Sequence, residues 1–496
     1  MPSIRRTKTS SGSTAVQAVK YRNRKLVILK HFGSARTKIE LQSLIQDAEH
    51  WISENTGQVS LFEPSEKDRI LHLGVTRFLG IRYQLGHIFL RDILRRLGFD
   101  LLGHSLLLDL AVMRIFEPSS KRRAIELLDR YFCISYSERT LYRKLPKLIA
   151  SKKTAEQIAV SFAKKHLNDQ LSFILYDVTT LYFESFQPDE LRKPGFSKDN
   201  KANQPQIVIG LLVNPDGFPL GYEIFKGNTF EGHTMLPVIN AFRETHTVTA
   251  CTIVADAAML SLTNLQELKK HNLSYIVGAR IANLSSILIK QISVALNQED
   301  GQTMRFATEH GDLVCAFSSD RFRKDKMEME KQIKKAEMLI ASSDGGKRSK
   351  FVTAAKTRYV LNTALIEKTK KLLGIKGYYT NIPLKEANDM SIIAYYGNLW
   401  HIEQSFRMAK SDLVARPIFH HKENAIKAHL LICFIALAAG KYLEITTGVS
   451  LRSIIDLLKQ VPDARMLNTQ IHKEILLRAE MPEELRLLLE KLNLSY

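Results

Sequence analysis

The sequence predicts an α/β core joined to a mainly helical N-terminal region, and three observations lead there. Apolar residues recur at helical spacing from about 66 to 150. From 173 to 277 short β-prone runs alternate with helical stretches, the pattern of strands layered with helices. Helical periodicity returns at 386–411 and 421–444 after a mixed segment, so one core is divided along the chain by an interruption. With 496 residues there is room for several domains, and 45% hydrophobic with 25% charged residues excludes wholesale disorder and collagen-like or low-complexity architecture.

Alternation in 13–20 and 25–31, with 21–23 between, predicts a basic β-hairpin, and a helix follows near 36–54. Helices are expected at 66–79, 83–97, 105–115, 119–131 and 137–149, with Pro118, Ser119 and Ser120 opening one and Ser137 another. The last three of these helices fit either a unit presenting a helix to a DNA groove or a packing layer for the next domain. Strands are expected at 173–178, 181–183, 206–213, 220–225, 252–255 and 274–277, with helices at 233–245 and 263–271 between them. Residues 281–376 read as strands, a basic helix at 324–341 and an exposed turn at 342–349. Leu-rich amphipathic helices are expected over 449–493. The resulting division is a basic arm at 1–60, a helical region at 61–165, an α/β core at 166–280 and 377–446, a basic insertion at 281–376 and a helical tail at 447–496. No internal repeat and no Walker or dinucleotide fingerprint is evident.

Charge points to the partner. The chain carries 71 Lys and Arg against 51 Asp and Glu, a net +20, which favours a polyanion. Residues 1–39 hold ten basic residues, among them Arg5, Arg6 and Arg22, and no acidic one. Residues 321–376 hold 16 basic residues, including Lys347 and Arg348, against six acidic ones; the remainder balances. Cys133, Cys251, Cys315 and Cys433 have no paired spacing, so neither a disulfide framework nor a structural zinc site is expected. The basic N-terminus lacks an apolar signal region, and the longest apolar run, 430–440, is too short to span a bilayer. These features predict a protein of the cytoplasm, on the chromosome, with no membrane partner.

Two carboxylates stand out. Asp177 follows the β-prone run Phe173-Ile-Leu-Tyr176, and Asp256 follows Thr252-Ile-Val-Ala255. A carboxylate buried there without a partner costs several kcal/mol, a cost a bound cation removes, and ligands gather at the carboxyl ends of strands in open α/β sheets. Each alone also fits a helix cap or a turn. Glu403 shares a helical stripe with Tyr396, Arg407 and Lys410 if 392–411 is one continuous helix. That stripe fits a metal ligand beside phosphate-holding cations, and it equally fits a solvated face with a Glu403–Arg407 pair. Two aspartates and a glutamate suit two Mg²⁺ ions for in-line displacement at phosphorus.

The blocks Tyr176-Asp-Val-Thr-Thr180, Ile253-Val-Ala-Asp-Ala-Ala-Met259 and Tyr396-Gly-Asn-Leu-Trp-His-Ile-Glu-Gln-Ser-Phe-Arg-Met-Ala-Lys410 together resemble the catalytic blocks of DDE-type insertion-sequence transposases, in the branch with a β-rich insertion between the second Asp and the Glu. Gly221-Tyr-Glu-Ile-Phe-Lys-Gly-Asn228 and Tyr275-Ile-Val-Gly-Ala-Arg280 also resemble that branch. The resemblance implies a ribonuclease-H-like mixed sheet with flanking helices, and Asp177, Asp256 and Glu403 as catalytic residues holding two Mg²⁺ ions, with Mn²⁺ able to substitute. It further implies double-stranded DNA, both element ends and target, as partner, and a homodimer or higher assembly in a synaptic complex. Tyr396, Arg407, Lys410, Arg280 and Lys226 would contact DNA. Leu399 stands where the family's third block has Arg, which makes Arg407 a candidate substitute; Ala257 follows the second Asp where Gly or Arg is more usual. The stacking Trp of similar hairpin-forming enzymes is missing from the insertion, where Phe322, Phe351 or Tyr359 could stack on a base. Two other readings fit the same residues: a nuclease of the same core without strand transfer, and a catalytically idle DNA-binding descendant.

Overall fold

A computed structural model of the chain describes residues 2–10, 12–22, 25–56, 76–167, 171–184, 187–196, 203–248, 250–259, 261–341, 349–355, 358–469 and 472–496. The chain forms two compact units, residues 1–84 with 460–481 and residues 85–459 with 482–496.

In the first unit β1 (Ser3–Lys8), β2 (Thr14–Arg22) and β3 (Lys25–Ala35) form an antiparallel sheet, and α1 (Lys38–Thr56) packs against it. The expected hairpin is therefore present, extended by β1. Ala15, Val16, Ala18 and Val19 of β2 are buried, the strict alternation being interrupted by register shifts at Val16/Gln17 and Ala18/Val19, while Arg5, Arg6, Arg22 and Lys30 stay exposed. Lys30 lies over Phe32 and Trp51, 5.2 and 5.6 Å from the ring centres. A second three-stranded sheet joins β4 (Thr76–Arg82) to strands Asp463–Asn468 and Lys473–Arg478. Two expectations are corrected here. The end of the helix expected at 66–79 is strand, the rest of it lying outside the described residues, and the helical tail expected from 449 to 493 contains a hairpin. The cause is long-range pairing: buried Asp463 accepts hydrogen bonds from Arg478 Nε at 2.7 Å and the Gln84 amide at 3.0 Å, tying segments that sequence periodicity treats separately.

The second unit opens with α2 (Gln84–Arg96), α3 (Ser105–Phe116), α4 (Lys121–Phe132), α5 (Glu138–Lys144) and α6 (Lys152–His166). Ser120 and Ser137 accept the amides of Arg123 and Thr140, so both expected caps are made. Among the two roles weighed for this trio, packing is the one α3 performs, since Leu106 to Phe116 are all buried and the helix lies against α14 (Glu423–Thr447). By length and composition α14 could cross a membrane; its apolar window is 89% buried as a core helix.

The main sheet has eight strands: β5 (Phe173–Tyr182), β6 (Gln206–Val213), β7 (Pro219–Lys226), β8 (Thr252–Ala255), β9 (Ser274–Gly278), β10 (Thr303–Thr308), β11 (Gly311–Phe317) and β14 (Ile375–Thr380). Their order is β10-β11-β14-β9-β8-β5-β6-β7. Strand β6 is antiparallel to both β5 and β7, whereas β8 and β9 run parallel to β5. The runs expected at 173–178 and 181–183 are one strand. Helices α7 (Met235–His246) and α8 (Leu262–Lys270) link β7 to β8 and β8 to β9.

The segment 281–376 is more entangled with the sheet than its composition suggests. After α9 (Ser286–Leu296), β10 and β11 join the sheet edge beside β14. Then α10 (Ser319–Ala341), β12 (Val352–Ala355), β13 (Arg358–Leu361) and α11 (Thr363–Lys370) enclose a separate small core of Met329, Ala336, Phe351, Ile366 and Leu373. Phe351 is wholly buried there, so it is unavailable for stacking on a base, while Tyr359 is 42% exposed. Lys347 and Arg348 lie outside the described residues.

The helix expected over 386–411 is broken into α12 (Asp389–Gly397), α13 (Trp400–Arg407) and a π-helical turn at Met408–Asp412. Gly397 and the capping Asn398 stand at the break, both weak helix formers. The following segment is held by buried cations. Arg114 donates to the carbonyls of Ser119, Val414 and Leu413, and Lys121 Nζ donates to His429 Nδ1 at 3.0 Å, leaving His429 Nε2 to donate to the Ala415 carbonyl at 3.0 Å. His429 is thus a packing residue. The final helices are α15 (Leu451–Lys459) and α16 (Glu483–Lys491).

Burial holds His429 neutral, well below the usual imidazole range, with Lys121 and Arg114 acting in the same direction. Burial likewise lowers His246 and His420 to about 4, the neighbouring Lys164 and Lys153, and Lys121 and Arg114, assisting. Each imidazole has a lower pKa folded than unfolded, so the unfolded chain takes up more protons below about pH 6.5. Stability should be fully present above that pH and fall as pH drops towards about 4. Thermal melting should show a decrease on the order of several degrees between pH 7.5 and 5, with a shallower slope in His429→Gln.

Candidate active site

The parallel register of β5 and β8 pairs Tyr176 with Ala255, so Asp177 and Asp256 occupy the next position on adjacent strands. Apolar flanks make this register robust: Ile174, Leu175, Tyr176, Ile253, Val254 and Ala255 are all buried. Asp177 is half-buried and lies within its strand, opposite Leu211 of β6, while Asp256 is exposed just past the end of β8. The desolvation argument for a bound cation therefore weakens: neither carboxylate is fully removed from water. Asp177 Oδ1 accepts the Val178 amide at 2.7 Å, and Asp256 Oδ1 accepts the Ala257 amide at 2.6 Å.

Tyr396, at the end of α12, reaches this pair. Its hydroxyl donates to Asp256 Oδ1 at 3.3 Å, and burial, then Asp256, then more weakly Asp177 raise its pKa far above the usual phenol range. Gly278 on β9 makes room for the contact, because a Cβ there would lie 2.6 Å from the Tyr396 hydroxyl and 3.2 Å from the Ala257 amide. Glu403 is exposed on α13, which is pinned to the β6–β7 turn by Ser405 Oγ donating to the Gly217 carbonyl at 2.7 Å. Burial and then Arg321 lower the pKa of Lys376 on β14, while Asp256 and Glu403 act on it in the opposite sense.

The four-residue stripe does not persist across the broken helix. Arg407 lines a separate hollow with Gln404, Asp412, Glu444 and Ser450, and Lys410 lines a mainly apolar one with Thr179, Leu181 and Leu437. Arg280 is exposed just past β9, next to Ala279 and Ile281, which line the cleft of Asp256. Exposed Lys226 pairs with Glu190 at 3.5 Å. Leu399 is buried.

Sequence reasoning missed the other wall. A cleft of about 410 Å³ runs from Asp256, Gly278 and Tyr396 to Arg321, Lys368 and Lys376. Tyr378 packs on Tyr396 with ring centres 4.7 Å apart, and burial pushes its pKa up to about 12. These residues come from 321–378, where no motif marked them; β14's place next to β9 brings them in. Among the described residues no three His, Cys, Asp or Glu side chains form a closed metal-binding group. Asp177, Asp256 and Glu403 carry hard oxygen donors, the chemistry that Mg²⁺-type ions prefer, but they are not gathered into a ligand group.

Gly278→Ala should displace the Tyr396 hydroxyl and destabilise the fold by about 1–3 kcal/mol. Denaturant unfolding measures this, and Tyr396→Phe in the same background should recover part of the loss by removing the clashing oxygen.

Residues 168–439 match the family model described as the transposase DDE domain. Comparison with curated protein sequences gives no match. Among solved structures, similarity is found to the cryo-EM structure of a piggyBac transposase synaptic complex with hairpin DNA, at 9% identity and a TM-score of 0.37, over 71% of this chain and 68% of that one. The family match spans more than half of the chain and takes in Asp177, Asp256 and Glu403, and the chain belongs to the transposase DDE domain family.

Proposed function

We propose that this protein is a DNA transposase that binds the ends of a mobile element, cleaves a strand by metal-dependent hydrolysis and joins the freed 3′-hydroxyl to target DNA. The observation that carries the reading is the adjacent placement of Asp177 and Asp256 on parallel strands in a chain of the transposase DDE domain family. The strand order β7-β6-β5-β8-β9, three antiparallel and two parallel, supports a ribonuclease-H-like core extended by β14, β11 and β10.

Asp177, Asp256 and Glu403 would hold two Mg²⁺ or Mn²⁺ ions. When bound, the ions supply activation of the attacking water or 3′-hydroxyl and stabilisation of the leaving oxygen. The chain's own groups do the rest. The Tyr396 hydroxyl orients the Asp256 carboxylate, and apolar β5 and β8 hold both aspartates at fixed separation. Exposed Arg5, Arg6 and Arg22 of the first unit, with Arg323, Lys324, Lys331 and Lys335 on α10, would bind phosphates of double-stranded DNA. The reading places the protein on the chromosome, in a homodimer or larger synaptic assembly.

Purified protein with element-end DNA and Mg²⁺ or Mn²⁺ should yield cleaved and joined products. Asp177→Asn, Asp256→Asn and Glu403→Gln should each lower cleavage about 10³-fold, the equivalent of roughly 4 kcal/mol, while DNA binding stays near wild type. Normal cleavage in Asp177→Asn refutes the assignment. Cutting without joined products indicates a nuclease, and binding without cutting an idle descendant. Charge reversal at Arg5, Arg6 and Arg22 should weaken binding and flatten its dependence on salt by about one unit of slope for each phosphate no longer neutralised.

A further inference from the structure

We infer that Lys376 is a phosphate-contacting residue of this site: its ammonium holds a non-bridging oxygen of the phosphodiester that lies against Asp177, Asp256 and Glu403. The inference rests on the proposed transposase reading and names a contact that no sequence motif marked.

The geometry begins on β14. Lys376 and Tyr378 are two residues apart on one strand and so face the same side of the sheet. Tyr378 pairs with Gly278 of β9, the residue that gives the Tyr396 hydroxyl its space beside Asp256. The Lys376 ammonium lies 4.6 Å from the Tyr396 ring centre and 5.4 Å from that of Tyr378. Two aromatic faces thus fix the direction of a long, otherwise mobile side chain. The two rings also touch each other, so Lys376, Tyr378, Tyr396 and Asp256 form one continuous stack.

The ammonium is half-buried in the cleft of Asp256, and among the described residues it has no carboxylate within ion-pair distance and no hydrogen-bond acceptor. Of the other cations of this cleft, Arg321 is paired with Asp325 at 3.3 Å and Lys368 donates to the Leu284 carbonyl at 3.3 Å, while Lys350, like Lys376, lies over an aromatic ring, 5.1 Å from the Phe351 centre. Arg407 and Lys410, expected from sequence to hold phosphate, line other hollows. A partly desolvated ammonium that faces two rings and no carboxylate keeps N–H donors to offer an anion. Of the charges that act on it, Arg321 acts most strongly, a second cation on the same cleft, and Asp256 and Glu403 act in the opposite sense without pairing with it; a phosphodiester brought to those carboxylates presents an acceptor.

The experiment compares wild type, Lys376→Met, Lys376→Arg and Asp177→Asn on element-end DNA carrying a single uncharged methylphosphonate at each phosphate around the cleavage site in turn. Lys376→Met keeps the alkyl packing on both rings and removes the charge. It should keep DNA affinity within about threefold and lower single-turnover cleavage on the order of 10²-fold, with recovery in Lys376→Arg. At one phosphate the methylphosphonate should slow wild type by a similar factor and slow Lys376→Met no further. Wild-type cleavage in Lys376→Met, with Asp177→Asn inactive, overturns this inference and leaves the transposase reading standing. So does a loss in Lys376→Met that multiplies with the methylphosphonate effect at every position, which marks a structural role. Absence of cleavage by wild type on every substrate removes the parent reading and this inference with it.

Discussion

The pairing of β5 with β8 is the constraint on which the site depends. Parallel strands cannot be joined by a tight turn, so the chain must leave β5, cross β6, β7 and α7, and return before the second aspartate can take its place. What secures the return is apolar burial: Ile253, Val254 and Ala255 have no register but one that keeps them covered, and that register sets Asp256 abreast of Asp177. The acidic pair is therefore a consequence of hydrophobic packing a residue away. It needs no attraction between the aspartates, which repel each other, and the fold supplies the energy that holds them together.

Delivery of Glu403 follows a different logic. A straight helix from α12 through α13 would fix Tyr396 and Glu403 on one rigid stripe. The break at Gly397 and Asn398 lets α12 end where Tyr396 can reach Asp256, while α13 is anchored independently through Ser405 to the β6–β7 turn. The π turn and the segment after it are held by Arg114 and by the Lys121–His429 relay to the Ala415 carbonyl. Backbone carbonyls at the end of the glutamate-bearing segment are thus satisfied by side chains from α3, α4 and α14. These helices have a second use beyond covering the sheet: they determine where the acidic segment ends.

The legibility of the sequence tracks the range of the forces involved. Strands at 206–213 and 252–255 were readable to the residue because their apolar character is local and continuous, and the caps at Ser120 and Ser137 because capping is a short-range hydrogen bond. The three carboxylates were legible because charge after an apolar run is conspicuous. The tail hairpin was not, since Leu-rich stretches such as Lys473–Arg478 satisfy a helical pattern until Asp463–Asn468, itself paired with the distant β4, supplies a partner. Lys376 and Tyr378 were missed for the same reason. Lys376 ends the segment that reads as an insertion and Tyr378 lies just beyond it, and only the place of β14 next to β9 makes them neighbours of Asp256.

This return bears on the charge of the chain. A net +20 concentrated in two segments suggests clamps acting apart from the chemistry, yet the second segment ends in a strand of the main sheet. Its basic residues therefore form two populations. Those on the outer face of α10 are solvated, and each can contribute to long-range, salt-screened attraction of a polyanion. Lys376 is shielded by two aromatic rings and lies beside carboxylates that would repel a phosphate. Salt screens the first population strongly and the second weakly, because a partly buried charge acts through a lower dielectric. The same surplus of charge can thus gather DNA at a distance and offset local repulsion at the site, and the depth of each residue decides which of the two it does.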